Sequence, residues 1–244
     1  MKLKRLLSVL DVCECTADPE LDIRDISFDS RTTQPGDLFA AVCGYESDGH
    51  RFIGAAVERG AAVVLCQRKP EVEIPYILVA DSRLALSRIC CEFFDNPSRE
   101  LTMIGVTGTN GKTTVTTLIK QTLEQAGCKA GLIGTIHTEI DAMDVPAKYT
   151  TPEPWDLNAL FSRMVLAGCT FAVMEASSQA LDQLRLWGLT FEVGVFTNLT
   201  QDHLDYHKTF ENYFAAKKSL FSQVKHMVVN LDDSYGRRLL DEVH

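Results

Sequence analysis

The stretch Leu101-Thr-Met-Ile-Gly-Val-Thr-Gly-Thr-Asn-Gly-Lys-Thr-Thr114 decides the fold of this chain. It opens with a short apolar, β-favouring run, Met103 to Val106, which predicts a buried strand. Small residues form a turn up to Gly111, and a helix is predicted from Lys112 to Gly127, because apolar residues recur at helical spacing: Val115, Leu118, Ile119 and Leu123. A strand, a glycine turn and a helix that begins with Lys-Thr form the layout of a phosphate-binding loop.

The residue types of this loop suit phosphate chemistry. Backbone N–H groups and the N-terminus of a helix attract phosphate oxygens, a lysine neutralises the outer phosphates, and a threonine hydroxyl ligates Mg²⁺. The general pattern G-x-x-x-x-G-K-[ST] has a glycine where this chain has Val106, so the match is incomplete. The candidate nucleotide-binding residues are Gly108, Thr109, Asn110, Gly111, Lys112, Thr113 and Thr114.

Composition limits the classes to which the chain can belong. With 244 residues, 45% of them hydrophobic, it can bury the core of one large domain or two ordinary ones. No apolar run approaches the roughly 18 to 20 residues that span a bilayer, and a net charge of −9 argues against nucleic acid as a partner. The eight cysteines form no C-x-x-C pair, which favours free thiols and a cytoplasmic location over zinc or disulfides.

The chain contains two consecutive regions that differ in how regularly predicted strands and helices alternate. Residues 1 to 97 begin with a predicted amphipathic helix and alternate short strands with helices, up to a break at Asn96-Pro97-Ser98. From Leu101 onward the alternation is regular, which predicts a parallel sheet with helices on both faces. The predicted strands are 23–29, 37–42, 62–66 and 76–79, then 103–106, 130–133, 171–175, 193–196 and 227–230. The predicted fold class is α/β, with a small N-terminal domain (1–97) followed by a Rossmann-like, phosphate-loop domain (98–244).

In such sheets ligands bind beyond the carboxyl ends of the strands, so the residues after each strand are candidates. Glu175 ends one predicted strand, where a carboxylate can hold Mg²⁺ directly or through water. The alternative is a helix N-cap at Ser177 or Ser178 beside a merely solvated Glu175. His203 and His207 follow the next strand four residues apart, which suits either a surface network or a contact with a cation or phosphate.

A lysine interrupts the apolar stripe of the predicted helix 210–221. Phe210, Tyr213, Phe214 and Phe221 lie on one face at helical spacing, and Lys217 falls in its middle. A lysine aimed into a core must snorkel to solvent, pair with an anion or lose its charge. In the last case its amine is nucleophilic, can take up carbon dioxide as a carbamate and can become an anionic metal ligand.

Together these residues resemble the Mur ligases, the ATP-dependent amide-forming enzymes that build the peptide of bacterial peptidoglycan. The motifs that carry the resemblance are Gly-Thr-Asn-Gly-Lys-Thr-Thr (108–114), Glu-Ala-Ser-Ser (175–178), Thr-Asn-Leu-Thr-Gln-Asp-His-Leu-Asp-Tyr-His (197–207) and Ala-Ala-Lys (215–217). In the first region, Phe28-Asp-Ser-Arg31, Pro35-Gly-Asp-Leu-Phe39 and Asp48-Gly-His50 are similar to the family's UDP-binding domain. The resemblance therefore implies that residues 1–97 bind a UDP-muramoyl substrate and that residues 98–244 form the central ATP-binding domain.

The resemblance also implies roles for individual residues. The UDP-muramoyl-dipeptide would contact Phe28, Ser30, Tyr45, Glu46, Ser47, Thr150, Thr151, Ser177, Gln183 and Arg185. ATP would be held by residues 108–114 with Asn198, and Mg²⁺ by Thr113, Glu175, His203 and a carbamylated Lys217. The catalytic residues would be Lys112, Glu175, His203 and Lys217. Two positions depart from the family's pattern, with Gln179 where a histidine is common and Tyr149 where an asparagine is common.

The implied reaction adds a diamino acid, meso-diaminopimelate in the first place and lysine as the alternative, to the D-glutamate of UDP-N-acetylmuramoyl-L-alanyl-D-glutamate (UDP-MurNAc-L-Ala-D-Glu). ATP would convert the side-chain carboxylate into an acyl phosphate, which the amine then attacks. Relatives continue beyond His244 with an amino-acid-binding domain, so a fragment of a longer ligase or a truncated gene product is expected. A phosphate-loop kinase or ATPase and a non-catalytic nucleotide-sugar-binding module stay open as alternatives, and a monomer is expected.

Overall fold

A computed structural model describes residues 1–44, 47–141, 143–146 and 149–243. The chain divides between Asp95 and Asn96 into two compact units, each with its own sheet. The sequence placed a boundary at Asn96-Pro97-Ser98, beside this division. In the part of the chain that the structure describes, no helix combines the length and the apolar character that a bilayer crossing requires.

The first unit is a five-stranded sheet with three α-helices. Its spatial order is β1-β5-β4-β3-β2, and only β1 runs antiparallel to its neighbour. All residues of β3 and β4 are buried, as expected for parallel strands that are covered on both faces. The elements are α1 (Leu3–Leu7), β1 (Val12–Cys15), β2 (Ile26–Ser27), β3 (Leu38–Ala40), α2 (Ile53–Glu58), β4 (Val63–Cys66), β5 (Tyr76–Val79) and α3 (Ser82–Phe93).

The four strands predicted in this unit are confirmed, and so is the helix predicted at the start of the chain. The predicted strand 23–29 shortens to β2, because Ile23 and Arg24 donate their backbone N–H groups to Met1 and Gly36 instead of to a neighbouring strand. The strand β1 was not predicted, since Val-Cys-Glu-Cys is short, largely exposed and without an apolar alternation.

The second unit is a seven-stranded sheet in the order β12-β11-β6-β10-β7-β8-β9. The five strands from β12 to β7 are parallel, whereas β8 and β9 form an antiparallel hairpin at one edge. The strands are β6 (Thr102–Thr107), β7 (Ala130–Ile133), β8 (Thr138–Ile140), β9 (Met143–Val145), β10 (Phe171–Glu175), β11 (Phe191–Phe196) and β12 (Val224–Val229). The helices are α4 (Lys112–Gln125), α5 (Pro154–Leu166), α6 (Ser178–Asp182), α7 (Leu204–His207), α8 (Phe210–Lys218) and α9 (Ser234–Val243).

The five strands predicted for this unit are confirmed, and they form the parallel part of the sheet, whereas the antiparallel β8–β9 hairpin was not predicted. Each strand of that hairpin has three residues, too few to show a period in the sequence. The predicted helix 210–221 ends at Lys218, and a 3₁₀ turn at Ser219–Gln223 keeps Leu220 and Phe221 buried.

The strand order places three loops side by side. β6 lies between β10 and β11, with Val106 opposite Glu175 on one side and Thr107 opposite Phe196 on the other. Because these strands are parallel, the segments that follow them leave the sheet at the same edge. The phosphate loop, Glu175 and the segment after Phe196 therefore meet.

Candidate active site

The phosphate loop connects β6 to α4 through two glycines in the left-handed region of φ. Gly108 has φ 146° and Gly111 has φ 85°, conformations that favour glycine. A Cβ on Gly108 would lie only 1.9 Å from Thr197 Oγ1, so the loop packs closely against the segment after β11. Val106, where the general pattern has glycine, is fully buried within β6, and the loop turns only after this position.

The segment after β11 holds the loop backbone. The Thr109 N–H donates to the Asn198 carbonyl (2.9 Å), and the Asn110 N–H donates to Asn198 Oδ1 (3.0 Å). The amide of Asn198 donates in return to the Asn110 carbonyl (3.2 Å). Asn198, predicted beside ATP, thus contacts the loop that is predicted to bind it.

Two lysines donate to the same carbonyl oxygen of the loop. Lys112 Nζ lies 2.9 Å from the Gly108 oxygen and 2.8 Å from the Thr109 oxygen. Lys217 Nζ lies 2.7 Å from the Gly108 oxygen, and its residue is only 1% exposed, so the snorkelling alternative is wrong. The structure therefore joins α8 to the loop through the lysine that interrupts the apolar stripe.

The surroundings of Lys217 disfavour a positive charge. Burial, and then the nearby charge of Lys112, lower the pKa of Lys217 to about 6, although Asp202 acts in the opposite direction. Burial also lowers the pKa of Lys112. Among the described residues no carboxylate forms an ion pair with Lys217. At neutral pH Lys217 is therefore mainly an uncharged amine, which is the third alternative drawn from the sequence.

Aromatic rings line the side of Lys217. Its Nζ lies 4.5 Å from the centre of the Tyr213 ring, and the Tyr213 hydroxyl is 3.1 Å from Thr109 Oγ1. The imidazole of His207 stacks on Tyr213 with a centroid separation of 4.9 Å, and its Nε2 is 2.9 Å from Ser178 Oγ. Burial lowers the pKa of His207, which keeps this ring neutral at pH 7. His207 is thus part of a buried network, so the surface-network alternative does not hold for this histidine.

Glu175 is the acceptor of three hydrogen bonds at the end of β10. Its Oε1 accepts from Thr113 Oγ1 (2.9 Å) and from the Thr135 N–H (2.9 Å), and its Oε2 accepts from Thr135 Oγ1 (3.1 Å). Ser177 caps α6, as one part of the alternative predicted. The other part, that Glu175 is merely solvated, is wrong, because Glu175 is only 1% exposed. Thr135 was not predicted at this site, although it lies two residues after the end of β7, where ligands of such sheets bind. The preceding Gly134 leaves room for the carboxylate, since a Cβ there would lie 2.6 Å from Glu175 Oε1.

Thr113 and Glu175 form an oxygen donor set that suits Mg²⁺. The Thr113 hydroxyl donates its proton to Glu175, which leaves its own lone pairs directed elsewhere and available to a cation. His203 is exposed, has φ 50°, and its Nε2 lies 3.4 Å from Asp202 Oδ2. Among the described residues, neither His203 nor Lys217 forms a hydrogen bond or ion pair with Thr113 or Glu175. The structure therefore joins two of the four predicted metal ligands, Thr113 and Glu175, by a direct hydrogen bond.

The predicted peptide-binding residues surround the end of β10. Thr151 Oγ1 donates to the Glu175 carbonyl (2.8 Å) and accepts from the Ser177 N–H (3.0 Å), so its hydroxyl supports the backbone. Thr150 Oγ1 lies 3.0 Å from Thr135 Oγ1. Gln179, where the family commonly has histidine, accepts a long hydrogen bond of 3.4 Å from Ser178 Oγ.

Arg185 connects several of these residues. Its Nη1 donates to the Thr151 carbonyl (3.0 Å), and its Nε and Nη2 donate to Gln183 Oε1 (3.1 and 2.7 Å). Its Nη2 also pairs with Glu153 Oε1 at 2.8 Å, a partner that the sequence did not suggest. The ring of Tyr149, which departs from the family's pattern, lies 5.6 Å from the guanidinium carbon. Gln183 and Arg185 thus belong to one hydrogen-bonded network.

The predicted UDP-binding residues of the first unit follow two neighbouring parallel strands. Phe28 and Ser30 come after β2, and Ser47 comes after β3, so both loops leave the sheet at one edge. Phe28 is 36% exposed and Ser30 is buried, while the Ser47 carbonyl accepts from the Gly44 N–H (2.8 Å). Tyr45 and Glu46 lie outside the described residues.

Asp48 and His50 hold the loop after β3. His50 Nδ1 lies 2.7 Å from Asp48 Oδ1, and His50 Nε2 accepts the Gln67 N–H at 2.9 Å. Asp48 also pairs with Arg68. Because Nε2 is an acceptor, Nδ1 carries the proton, so both imidazole nitrogens are used within the fold.

A parallel sheet with a phosphate loop on its central strand, and a buried lysine bonded to that loop, define a nucleotide-binding α/β protein. The chain belongs to the Mur ligase family. The Mur ligase middle domain matches residues 106–244, and the domain described as "Mur ligase family, catalytic domain" matches residues 22–93. The resemblance deduced from the motifs is confirmed.

Several of the relatives found are ligases with the same name. The chain is 46% identical over 248 residues to the UDP-N-acetylmuramoyl-L-alanyl-D-glutamate--2,6-diaminopimelate ligase of Clostridium tetani, and 45% identical over 242 residues to that of Bacteroides fragilis. These alignments cover 100% and 97% of this chain but 51% and 50% of the relatives. The chain therefore spans about half the length of the curated relatives it matches.

Solved structures agree with the fold. A structure of a UDP-N-acetylmuramoyl-L-alanyl-D-glutamate--2,6-diaminopimelate ligase matches with a TM-score of 0.83 and 29% identity, over 99% of this chain and 49% of that chain. The MurF ligase from Thermotoga maritima in complex with ADP matches with a TM-score of 0.58 and 23% identity, over 92% of this chain and 49% of that chain. The second likeness concerns the fold alone.

Proposed function

We propose that this protein is an ATP-dependent ligase that adds a diamino acid, meso-diaminopimelate, to the D-glutamate of UDP-MurNAc-L-Ala-D-Glu. The observation that carries the proposal is the meeting of Lys112 and Lys217 at the Gly108 carbonyl, beside Thr113 and its partner Glu175. A plain phosphate loop needs the first lysine, but it has no need of a second, buried one. The names of the relatives at 45–46% identity support the same reaction.

ATP would bind at residues 108–114. Its phosphates would face the backbone N–H groups at the start of α4 and the ammonium of Lys112. Asn198 would hold the loop backbone through its hydrogen bonds. Thr113 and Glu175 would hold Mg²⁺, with His203 and a carbamylated Lys217 as further ligands. When bound, the ion would neutralise phosphate charge.

The reaction needs an activated carboxylate, because a free carboxylate is a poor electrophile. An oxygen of the D-glutamate side chain would attack the γ-phosphorus of ATP, the bond to ADP would break, and an acyl phosphate would form. The amine of the diamino acid would then attack the acyl carbon, inorganic phosphate would leave with the bonding electrons, and the amine's proton would pass to solvent. Lys112 would stabilise the charge that develops during phosphoryl transfer.

The other substrate is the UDP-linked muramoyl-dipeptide. Phe28, Ser30, Tyr45, Glu46 and Ser47 would contact its UDP part. The peptide part would contact Thr150, Thr151, Ser177, Gln183 and Arg185, which surround the end of β10. Thr151 would act through its backbone position, because its hydroxyl is already bonded on both sides.

The neutral amine of Lys217 is suited to carbamate formation. A lone pair on Nζ can attack carbon dioxide, after which one proton leaves and an anionic carbamate stays on the side chain. Labelling with ¹³C-bicarbonate and NMR should show a carbamate resonance that is absent from Lys217→Arg. A spectrum without that resonance in the unsubstituted protein would exclude the modification under those conditions.

A trapping experiment tests the proposed reaction without the diamino acid. The protein is incubated with ATP, Mg²⁺, UDP-MurNAc-L-Ala-D-Glu and hydroxylamine, and the hydroxamate is measured by mass spectrometry. We expect a hydroxamate and an equal amount of ADP, both lost in Lys112→Met. Release of ADP that does not depend on the UDP substrate would favour an ATPase or kinase, and binding of both ligands without turnover would favour a binding module.

A further inference from the structure

Glu153 stands at the start of α5 but does not cap it. It has the extended backbone of an N-cap residue, φ −68° and ψ 159°, yet its side chain makes no capping hydrogen bond. A side chain at this position usually accepts an N–H of the first helical turn. The carboxylate of Glu153 points instead to Arg185, whose Nη2 lies 2.8 Å from its Oε1. The Glu153 side chain therefore pairs with Arg185 and does not cap α5.

The contacts of Arg185 leave one of its donors for a ligand. A guanidinium has five N–H groups in a rigid plane. Nε uses its proton on Gln183, Nη2 uses two on Gln183 and Glu153, and Nη1 uses one on the Thr151 carbonyl. The second Nη1–H has no acceptor among the described residues. A carboxylate of the substrate would thus accept a single N–H from Arg185. An arginine without other partners could instead donate two N–H groups to it in a bidentate arrangement.

Both the backbone and the side chain of Arg185 are fixed. α6 ends in a turn in which the Arg185 N–H donates to the Ala180 carbonyl (2.9 Å) and the Leu184 N–H to the Leu181 carbonyl (3.1 Å). Leu184 has φ 57°, a position that favours glycine, and this turn sets where Arg185 leaves the chain. The side chains of Arg185 and Glu153 are 14% and 22% exposed, so water screens their attraction only in part.

We propose that Glu153 is a positioning residue, which balances the charge of Arg185 and aims its remaining Nη1–H at a carboxylate of the muramoyl-dipeptide. This inference rests on the proposed function, because it concerns that reaction's substrate. Without Glu153 the guanidinium keeps only uncharged acceptors, Gln183 and the Thr151 carbonyl. A partly desolvated cation held in that way turns towards water, and the donor no longer faces the ligand.

Calorimetry with two ligands tests the proposal on the whole chain. UDP-MurNAc-L-Ala-D-Glu and UDP are titrated separately into the unsubstituted protein, Glu153→Gln and a control, Glu192→Gln. Glu192 pairs with Lys225 in the same unit and belongs to no proposed site. We expect Glu153→Gln to raise the Kd for the dipeptide ligand about tenfold, the loss typical of one charge-assisted hydrogen bond. The Kd for UDP should stay unchanged in Glu153→Gln, and both Kd values should stay unchanged in Glu192→Gln.

A double-substitution cycle shows whether Glu153 acts through Arg185. In an Arg185→Gln background, Glu153→Gln should have no further effect on the Kd for the dipeptide ligand. An unchanged or lower Kd in Glu153→Gln alone, or an equal loss in the Arg185→Gln background, overturns the proposal. If thermal melting shows that Glu153→Gln does not fold, Glu153→Asp keeps the charge but shortens the side chain and gives the same test. Failure of the proposed function is a different result, in which the unsubstituted protein binds neither ligand.

Discussion

Replacing Lys217 by methionine should change how the stability of the protein depends on pH. The folded chain buries this lysine with a pKa of about 6, whereas the ordinary value is 10.5. Between these pH values the unfolded chain binds a proton at this side chain and the folded chain does not. The free energy of unfolding therefore rises with pH across this interval, by about 1.4 kcal/mol for each pH unit.

The size of the effect follows from the same two values. Between pH 7 and pH 9 the unsubstituted protein should gain about 2.7 kcal/mol of stability relative to Lys217→Met, because the variant lacks the titrating group. Below about pH 6 both states hold the proton, and the difference between the two proteins becomes constant. Above about pH 10.5 neither state holds it, and the difference becomes constant again.

Urea unfolding at pH 7, 8 and 9, followed by circular dichroism in buffers free of carbon dioxide, measures this difference. Removing carbon dioxide keeps the amine from forming a carbamate during the experiment. Lys218→Met, which removes a partly exposed lysine of the same helix together with its ion pair to Glu242, controls for the loss of a positive charge as such. Parallel stability curves for the unsubstituted protein and Lys217→Met would show that Lys217 stays charged when folded, and would refute the reasoning about its burial.

Two further predictions concern the loop. Gly108→Ala places a Cβ 1.9 Å from a threonine hydroxyl, so it should lower the free energy of unfolding by about 1–3 kcal/mol and weaken ADP binding. The Cβ of Gly111→Ala meets no atom within 4 Å, so this variant should lose only about 1 kcal/mol of stability, because of its left-handed backbone. Calorimetry with ADP and urea unfolding compare the two variants, and equal losses would contradict the close approach at Gly108. Thr113→Val removes a donor from the buried carboxylate of Glu175 and should lower stability by about 1–3 kcal/mol. An unchanged melting temperature would show that this hydrogen bond is not formed.

The phosphate loop could be predicted because all its determinants are adjacent in the sequence. The strand, the glycine turn and the start of α4 lie within fifteen residues, and each has its own local signal. The bounds of β5, β7 and β10 were predicted to the residue for the same reason. These strands are continuous apolar runs, which a covered parallel sheet demands.

The face that a helix buries was harder to predict than the helix itself. Leu118 is one of the apolar residues whose spacing predicted α4, yet it is 57% exposed. Lys120 is buried in the same helix at 6% exposure, and it pairs with Glu124 and with Glu139 of the β8–β9 hairpin. Neither the hairpin nor its ion pair has a periodic signal, so apolar spacing alone does not show which residues of α4 are buried.

Contacts between distant residues could not be predicted from spacing. Thr135 reaches Glu175 across 40 residues, and Lys217 reaches Gly108 across 109. The sequence showed that Lys217 needs a partner or must lose its charge, but only the fold shows that a carbonyl oxygen receives its amine. The grouping of His203 with Glu175 in one metal site stays a prediction, because a family motif names residues without stating which of them touch in the folded chain.

The two lysines at Gly108 link the charge of the loop to its ligand. A carbonyl oxygen carries only a partial negative charge, so it cannot balance two ammonium groups that both donate to it. The lysine with less access to water therefore gives up its proton, and this is Lys217, with the charge of Lys112 as the second cause of its lowered pKa. A phosphate beside Lys112 would reduce the repulsion, and a carbamate on Lys217 would turn it into attraction. The burial of Lys217 beside Lys112 thus produces a nucleophilic amine at neutral pH. A negative charge added to this amine would attract Lys112 and so stabilise the loop.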